Sequence, residues 1–306
     1  MYLTATEETS MRLMYDLHAL DKTLLIESDQ KINKAVLNKL AQTSKKITSL
    51  KIADTVISND IKKAFKDPSY AIIFSPESIN RKISLIMKNL IMPKPIISEL
   101  KIIKKTMPYT YRHILVTAIL ATKISLDKQL KGKYDPIKIA RLGLVHDIGK
   151  SRIPPEILQK PTPLTKSEHE VLKTHALIGY ILLHYYCGKK HVLYDCASYE
   201  HHERLDGSGY PRHAKKINKY SQVIAVVDVF DALIAIRPYR KTAFSLRAAL
   251  DLLLENVAQK KLNKQIVHLL ISFARITKPN LKELRISQVK RDKPPTKNVY
   301  GKIAKG

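Results

Sequence analysis

The chain has 306 residues, room for about two ordinary domains, and its 44% hydrophobic and 26% charged residues exclude wholesale disorder, a collagen-like repeat and a disulfide-built scaffold. Two cysteines, Cys187 and Cys196, offer no framework for zinc or disulfides and fit a reducing compartment. No stretch approaches the roughly 18 apolar residues of a membrane span, and the acidic start lacks an apolar signal core, so a cytoplasmic protein without a membrane span is expected. Net charge is +27, from 54 Lys plus Arg against 27 Asp plus Glu. Either an anionic partner or a Lys-rich compositional bias accounts for that excess.

Glycine is scarce, nine residues in all, and apolar residues recur at three- and four-residue spacing, which predicts a mainly helical protein. The run Lys22-Thr23-Leu24-Leu25-Ile26-Glu27 is β-like, residues 30–40 are helical in pattern, and residues 47–52 alternate like a second strand. Helices are predicted near residues 60–65 and 78–89. Met92-Pro93-Lys94-Pro95 then stops helix propagation, so a small mixed α/β N-terminal module is placed at residues 1–92. That module could sense a ligand, bind a partner or cap the helices that follow. A helical catalytic domain is placed at 96–284 and a basic flexible tail at 285–306. Residues 289–306 carry six basic and one acidic side chain with Tyr300 the single aromatic, which suits non-specific contact with polyanions and no specific nucleic-acid readout.

In the second region, Asp135-Pro136 reads as an N-cap followed by a first-turn proline, opening a helix through Ile139, Leu142 and Val145 that stops at Gly149. Thr165 and Glu168 have the spacing of a capping box, opening a helix through Val171, His175, Ile178 and Leu182. Residues 221–236 and 245–255 are two further predicted helices.

Nine of the eleven histidines lie between His113 and His213. His146-Asp147 sits at a helix end, where two adjacent side chains can turn toward one centre, and His201-His202 repeats the adjacency before Glu203. His113 and His175 are expected mid-helix on apolar faces. Asp228 follows Ile224-Ala225-Val226-Val227, and a carboxylate in so apolar a helix is costly without a cation or hydrogen bonds. Taken singly, each histidine reads as a packing residue. Five histidines and two aspartates together read as an imidazole–carboxylate site for first-row transition metals, with Asp147 able to serve two of them. His18, His169, His184, His191, His213 and His268 are read as surface or packing residues.

The motifs His146-Asp147-Ile148-Gly149-Lys150, His201-His202-Glu203-Arg204, Asp206-Gly207-Ser208-Gly209-Tyr210-Pro211, Asp228-Val229-Phe230-Asp231-Ala232-Leu233 and Arg237-Pro238-Tyr239-Arg240, in this order, resemble the HD-GYP domain, a bacterial branch of the HD metal-dependent phosphohydrolases, over roughly residues 96–280. The resemblance implies an all-α catalytic fold and a centre of two or three iron or manganese ions. The implied activity is hydrolysis of cyclic di-GMP to the linear dinucleotide pGpG or on to GMP, in second-messenger signalling. It makes His113, His146, Asp147, His175, His201, His202 and Asp228 metal ligands, with Asp147 bridging and acting in catalysis. Lys150 joins Asp147 as a catalytic residue and also meets a substrate phosphate. Arg237 and Arg240 are expected on the second phosphate or a guanine edge, and Tyr210 stacks on or hydrogen-bonds the ligand. Asp231, one turn from Asp228, is grouped with the substrate set and could equally orient a ligand from behind.

Three departures from the pattern stand out. Tyr109 occupies the position, four before His113, where trinuclear members carry a glutamate, so two divalent ions are expected. The loop after Pro211 reads Arg212-His213-Ala214-Lys215-Lys216, without the usual glycine-leucine turn, and Ile234-Ala235-Ile236 replaces a polar stretch. Expected partners are cyclic di-GMP and a diguanylate cyclase or other signalling protein, with a homodimer compatible. Two alternatives stay open: a catalytically weak receptor or scaffold that binds cyclic di-GMP or a diguanylate cyclase, and a hydrolase of a hybrid cyclic or linear dinucleotide.

Overall fold

The computed structural model describes residues 12–43, 48–188, 194–236 and 242–287, together with residues 289, 292, 295, 303 and 304. The architecture is mainly α with a small α/β piece at the N-terminal end. Strands β1 (Leu17–His18) and β2 (Leu24–Ile26) form an antiparallel pair. Helix α1 (Lys34–Thr43) follows, and then β3 (Ser49–Lys51), which pairs antiparallel with β4 (Ile91–Pro93) in the register Ser49–Pro93, Leu50–Met92, Lys51–Ile91. Between β3 and β4 lie α2 (Ile57–Ala64), a 3₁₀ turn at Pro68–Tyr70 and α3 (Glu77–Lys88). Each predicted element of this region is present within a few residues.

Helix α4 (Lys94–Thr106) starts directly after β4. Pro95 sits in its first turn, where the missing N–H costs nothing, so the Pro-Lys-Pro run opens a helix there. Helix α5 (Pro108–Ser125) is buried almost throughout its second half, which matches its nearly uniform apolar composition. Helix α6 (Pro136–Val145) begins as the sequence predicts, with Asp135 accepting from the Ile137 and Lys138 amides at 2.8 and 3.2 Å. It ends earlier, at Val145, and a 3₁₀ segment over Ile148–Arg152 follows.

After the short α7 (Pro155–Leu158), the Thr165–Glu168 capping box opens α8 (Lys166–Lys173) with both reciprocal bonds made. The predicted continuous helix is interrupted at Thr174, whose amide and hydroxyl both turn back to the Val171 carbonyl, at 3.1 and 2.6 Å. A separate α9 (His175–Cys187) then begins, so His175 stands at a helix start instead of mid-helix. Helices α10 (Tyr194–Glu200), α11 (Lys219–Ile234), α12 (Leu246–Ala258, capped by Ser245) and α13 (Lys264–Phe273) complete the described elements.

One apolar core runs from Leu13 to Phe273 and takes in Ile57, Ile61, Tyr70 and Ile83 of the N-terminal region beside Ile114, Leu144, Ile178 and Phe230. Most of the predicted flexible tail lies outside the described residues. Of its described part, the Ala304 amide donates to the Leu164 carbonyl and the Arg247 guanidinium to the Val289 carbonyl. Cys187 and Cys196 are buried and unbridged. Among the described residues no helix is long and apolar enough to cross a membrane.

Candidate metal centre

Three helix ends, of α6, α9 and α10, and two helix interiors, of α5 and α11, converge on Asp147. His146 caps the C-terminus of α6 and Asp147 follows at φ −104°, ψ 12°, so the chain leaves helical geometry where two adjacent side chains must face one point. The following segment lies against α9 with almost no clearance. A Cβ on Gly149 would stand 2.0 Å from the His175 carbonyl oxygen and 2.5 Å from the Gly179 amide. Only glycine permits that approach, and it sets the spacing between Asp147 and His175. His113 projects from α5, Asp228 from α11, and His201 and His202 follow α10.

All seven predicted ligands are brought together. Asp147, His175, His201 and His202 offer donor atoms within 4.8 Å of one another, as do His113, His146 and Asp228. The Asp147 carboxylate divides between the two groups. Oδ1 faces His175 Nε2 at 3.4 Å and His201 Nε2 at 3.6 Å, while Oδ2 faces the Nε2 atoms of His113 and His146 at 3.5 Å each. Asp228 Oδ1 lies 3.0 Å from His113 Nε2 and 3.9 Å from His146 Nε2.

The outer nitrogens are occupied. Nδ1 of His146, His175 and His201 each meet a backbone carbonyl, of Gly143 (2.8 Å), Leu172 (2.6 Å) and Ala197 (2.8 Å). With Nδ1–H donated outward, Nε2 keeps its lone pair for the interior. His113 differs, because its Nδ1 donates to Asp231 Oδ2 at 2.5 Å.

Burial drives the His146 imidazole down to about 4 and that of His175 to about 3, and it also holds His202 well below the ordinary histidine value. Burial works to raise the carboxyls. At Asp147 it is outweighed by Lys150 and the surrounding imidazoles, and at Asp228 by His113, so both stay well below the usual carboxylate range. Neutral imidazoles and ionised carboxylates are the protonation states that bind metal. Buried His146 Nε2 and Asp147 Oδ1 have no hydrogen-bond partner among the described residues, a costly arrangement for two polar atoms unless a cation completes it. The donor set therefore fits divalent first-row metals.

Around this cluster, Lys150 Nζ pairs with Asp147 Oδ2 at 2.6 Å, its side chain partly exposed. The Tyr210 ring stacks on the His202 imidazole, with centroids 4.6 Å apart and planes 20° apart, and Lys173 Nζ lies 5.7 Å from its centre. The Gly-Tyr-Pro loop is held by two buried glutamates. Glu203 accepts from the Arg212 and Ala214 amides at 2.7 and 2.9 Å, and Glu200 takes the Arg212 guanidinium and the Asn218 amide. A Cβ on Gly209 would stand 2.4 Å from the His202 carbonyl oxygen and from Glu203 Cα, so the loop folds back onto the histidine pair. Glu200 and Glu203 thus shape the loop after Pro211.

Asp231 is fully buried behind His113, a position that suits orienting a metal ligand. Arg237 and Arg240 lie outside the described residues. Tyr109 is about half exposed in the first turn of α5. Sequence reasoning did not single out Tyr70, Asp67 and Arg112. Tyr70 donates its hydroxyl to Asp231 Oδ1, and Arg112 bonds both Asp67 and, at 3.5 Å, Asp231 Oδ1. Arg112 is adjacent to His113 and was open to notice, but Tyr70 lies 161 positions from its partner.

The HD domain family matches residues 98–266, which contain the whole histidine–aspartate cluster. The chain belongs to that family, in its HD-GYP branch. It is 36% identical over 166 residues to a 3'3'-cGAMP-specific phosphodiesterase 1 of Vibrio cholerae, covering 53% of this chain and 37% of that protein. It is 43% identical over 126 residues to the cyclic di-GMP phosphodiesterase response regulator RpfG of Xanthomonas campestris, covering 40% of this chain and 33% of that one. The chain thus spans about a third of the length of these curated relatives. Among solved structures, a Bdellovibrio bacteriovorus HDG"Y"P protein aligns over 88% of this chain and 96% of its own, at 14% identity and a TM-score of 0.44.

Proposed function

We propose that this chain is a metal-dependent phosphodiesterase that hydrolyses cyclic di-GMP to pGpG or GMP, with two divalent ions of the iron or manganese type. The observation that carries the reading is the Asp147 carboxylate, each of whose oxygens faces a separate pair of imidazole Nε2 atoms at 3.4–3.6 Å. When bound, such ions supply Lewis acidity and a nucleophile at neutral pH. Asp147 joins the two ligand groups, and Tyr109 leaves the first turn of α5 without the carboxylate that the family's third-metal position uses.

The surrounding side chains suit a dinucleotide. Lys150, at the edge of the cluster, is placed to exchange its contact with Asp147 for a phosphate oxygen. Tyr210, held by its stack on the His202 imidazole, supplies an aromatic side chain beside the donor cluster for stacking on or hydrogen-bonding the ligand. Arg237 and Arg240 serve the phosphates in this reading, on the chemistry of their fork and their position after α11. A 3'3'-cGAMP-specific relative favours a second substrate reading, a hybrid cyclic dinucleotide that shares one guanine with cyclic di-GMP.

Metal analysis of anaerobically purified protein, with turnover of cyclic di-GMP and 3'3'-cGAMP side by side, tests the proposal. About two metals per chain and faster cleavage of cyclic di-GMP are expected. Faster cleavage of 3'3'-cGAMP moves the assignment to the hybrid substrate, and a metal-loaded protein that binds either nucleotide without cleaving it is a receptor. Arg237→Ala or Arg240→Ala should weaken substrate binding by about 1.5–3 kcal/mol, the scale of a charge-assisted hydrogen bond, with metal content unchanged.

A further inference from the structure

Residues 57–77 make contacts with α5 that packing alone does not require. Three consecutive α5 residues are involved, and His113 is the third. Tyr111 donates its hydroxyl to Asp60 of α2 at 2.8 Å, and Lys104 of α4 meets the same carboxylate at 2.5 Å. Arg112 donates through Nε to Asp67 at 3.1 Å, with Nη2 on the same oxygen. Asp67 is itself the N-cap of the turn that carries Tyr70, accepting from the Ser69 amide at 2.9 Å. That turn delivers the fully buried Tyr70 hydroxyl to Asp231 Oδ1. The other oxygen of Asp231 receives His113 Nδ1.

We propose that Tyr70 is a positioning residue for the metal centre: its hydroxyl, with Arg112, fixes the Asp231 carboxylate that sets the ring orientation and tautomer of His113, so the seating of the Asp67–Tyr70 turn governs metal affinity at the His113–His146–Asp228 group. The inference rests on the metal-centre reading above. A carboxylate behind a ligating histidine fixes which nitrogen carries the proton, and loss of such an outer partner typically lowers metal affinity about 10–100-fold. Asp231 is fully buried. Tyr70 and Arg112 both meet Oδ1, which leaves Oδ2 for His113.

The Tyr70 ring is held independently of its hydroxyl, by Phe74 (centroids 5.7 Å apart) and by Phe230 (6.4 Å, edge to face). Tyr70→Phe therefore removes the hydrogen bond and keeps the packing. Phe74→Leu disturbs the packing and keeps the hydrogen bond.

The test titrates metal-free protein with Co²⁺, following its visible absorption bands, alongside thermal unfolding of the metal-free form. Wild type should take up two equivalents. Tyr70→Phe should bind one of them about 10-fold or more weakly, with altered absorption for that ion and an unfolding temperature close to wild type. Phe74→Leu should unfold earlier and bind both ions with wild-type affinity at a temperature where it is folded. Wild-type binding by Tyr70→Phe, or equal weakening by Phe74→Leu, would overturn the role of the hydroxyl. A wild-type protein that takes up no Co²⁺ would instead overturn the metal-centre reading.

Discussion

His113 and His175 are both buried, both aim Nε2 at Asp147, and differ in what holds them from behind. His175 donates Nδ1 to the Leu172 carbonyl three residues earlier in its own segment, and His146 and His201 use local carbonyls in the same way. His113 alone among these four leans on a side chain, Asp231, which is held in turn by Tyr70 from the N-terminal region. A ligand fixed by its own backbone keeps its orientation as long as the helix end exists. A ligand fixed through two side chains from distant segments depends on how those segments dock. The two groups of donors around Asp147 are therefore built with different degrees of dependence on the rest of the chain.

The largest effect expected removes the atom pair that both groups share. Asp147→Ala should empty both and reduce cyclic dinucleotide hydrolysis to background, measured as metal content and turnover on the same sample. A variant that kept one metal at wild-type affinity would show that the two groups are independent, and the comparison would reduce to two separate sites. Asp231→Ala should act on one group only. Metal affinity there is expected to fall about 10–100-fold, with the second equivalent, on His175, His201 and His202, little changed in a calorimetric titration. Equal weakening of both equivalents would mean that Asp231 acts through the fold and not through His113.

The two kinds of support also differ in how readily they are read from sequence. His146-Asp147 and His201-His202 are contiguous, and Asp228 is a carboxylate in an apolar run, so their chemistry is visible without knowing the fold. The carbonyls behind His146 and His201 come with the helix end itself. Thr165 and Glu168 announce the start of α8 by their spacing, but nothing in the apolar periodicity reveals that the Thr174 hydroxyl will end it one residue before His175. Tyr70 lies in Pro68-Ser69-Tyr70-Ala71-Ile72-Ile73-Phe74, where an aromatic reads as core, and core it is, fully buried beside Phe74 and Phe230. Its hydroxyl acquires a function only because tertiary packing sets it against Asp231, which periodicity and motif spacing do not encode. Arg237 and Arg240 are the converse, plain in the sequence and outside the described residues.

Acid stability of the metal-free protein should separate the two kinds of histidine. Burial lowers His146 to about 4 and His175 to about 3, and it lowers His202 as well. Below the ordinary histidine value of roughly 6.5 the unfolded chain takes up protons at these positions and the folded chain does not, so stability falls as pH drops from there toward about 4. His113 has the opposite sign. Burial lowers it too, but the Asp231 and Asp228 carboxylates more than compensate and raise it overall. Its stabilising contribution is fully present below roughly 6.5 and is lost as pH rises through its folded value. Asp147 and Asp228, held low, keep their contribution until pH falls below the unfolded carboxylate value of roughly 3.9 and do not enter this window. With three histidines of the cluster opposed to one, and with His169, His184 and His268 also lowered by burial, the unfolding temperature should drop by at least about 3 °C between pH 7 and pH 5, the shift of roughly one kcal/mol in a chain of this size. His175→Asn should flatten that dependence, whereas His113→Asn should steepen it by removing a histidine that gains from acid. A profile equally flat in all three proteins would show that the imidazoles are not held apart by their backing groups, and the distinction between carbonyl-held and carboxylate-held ligands would have no energetic content.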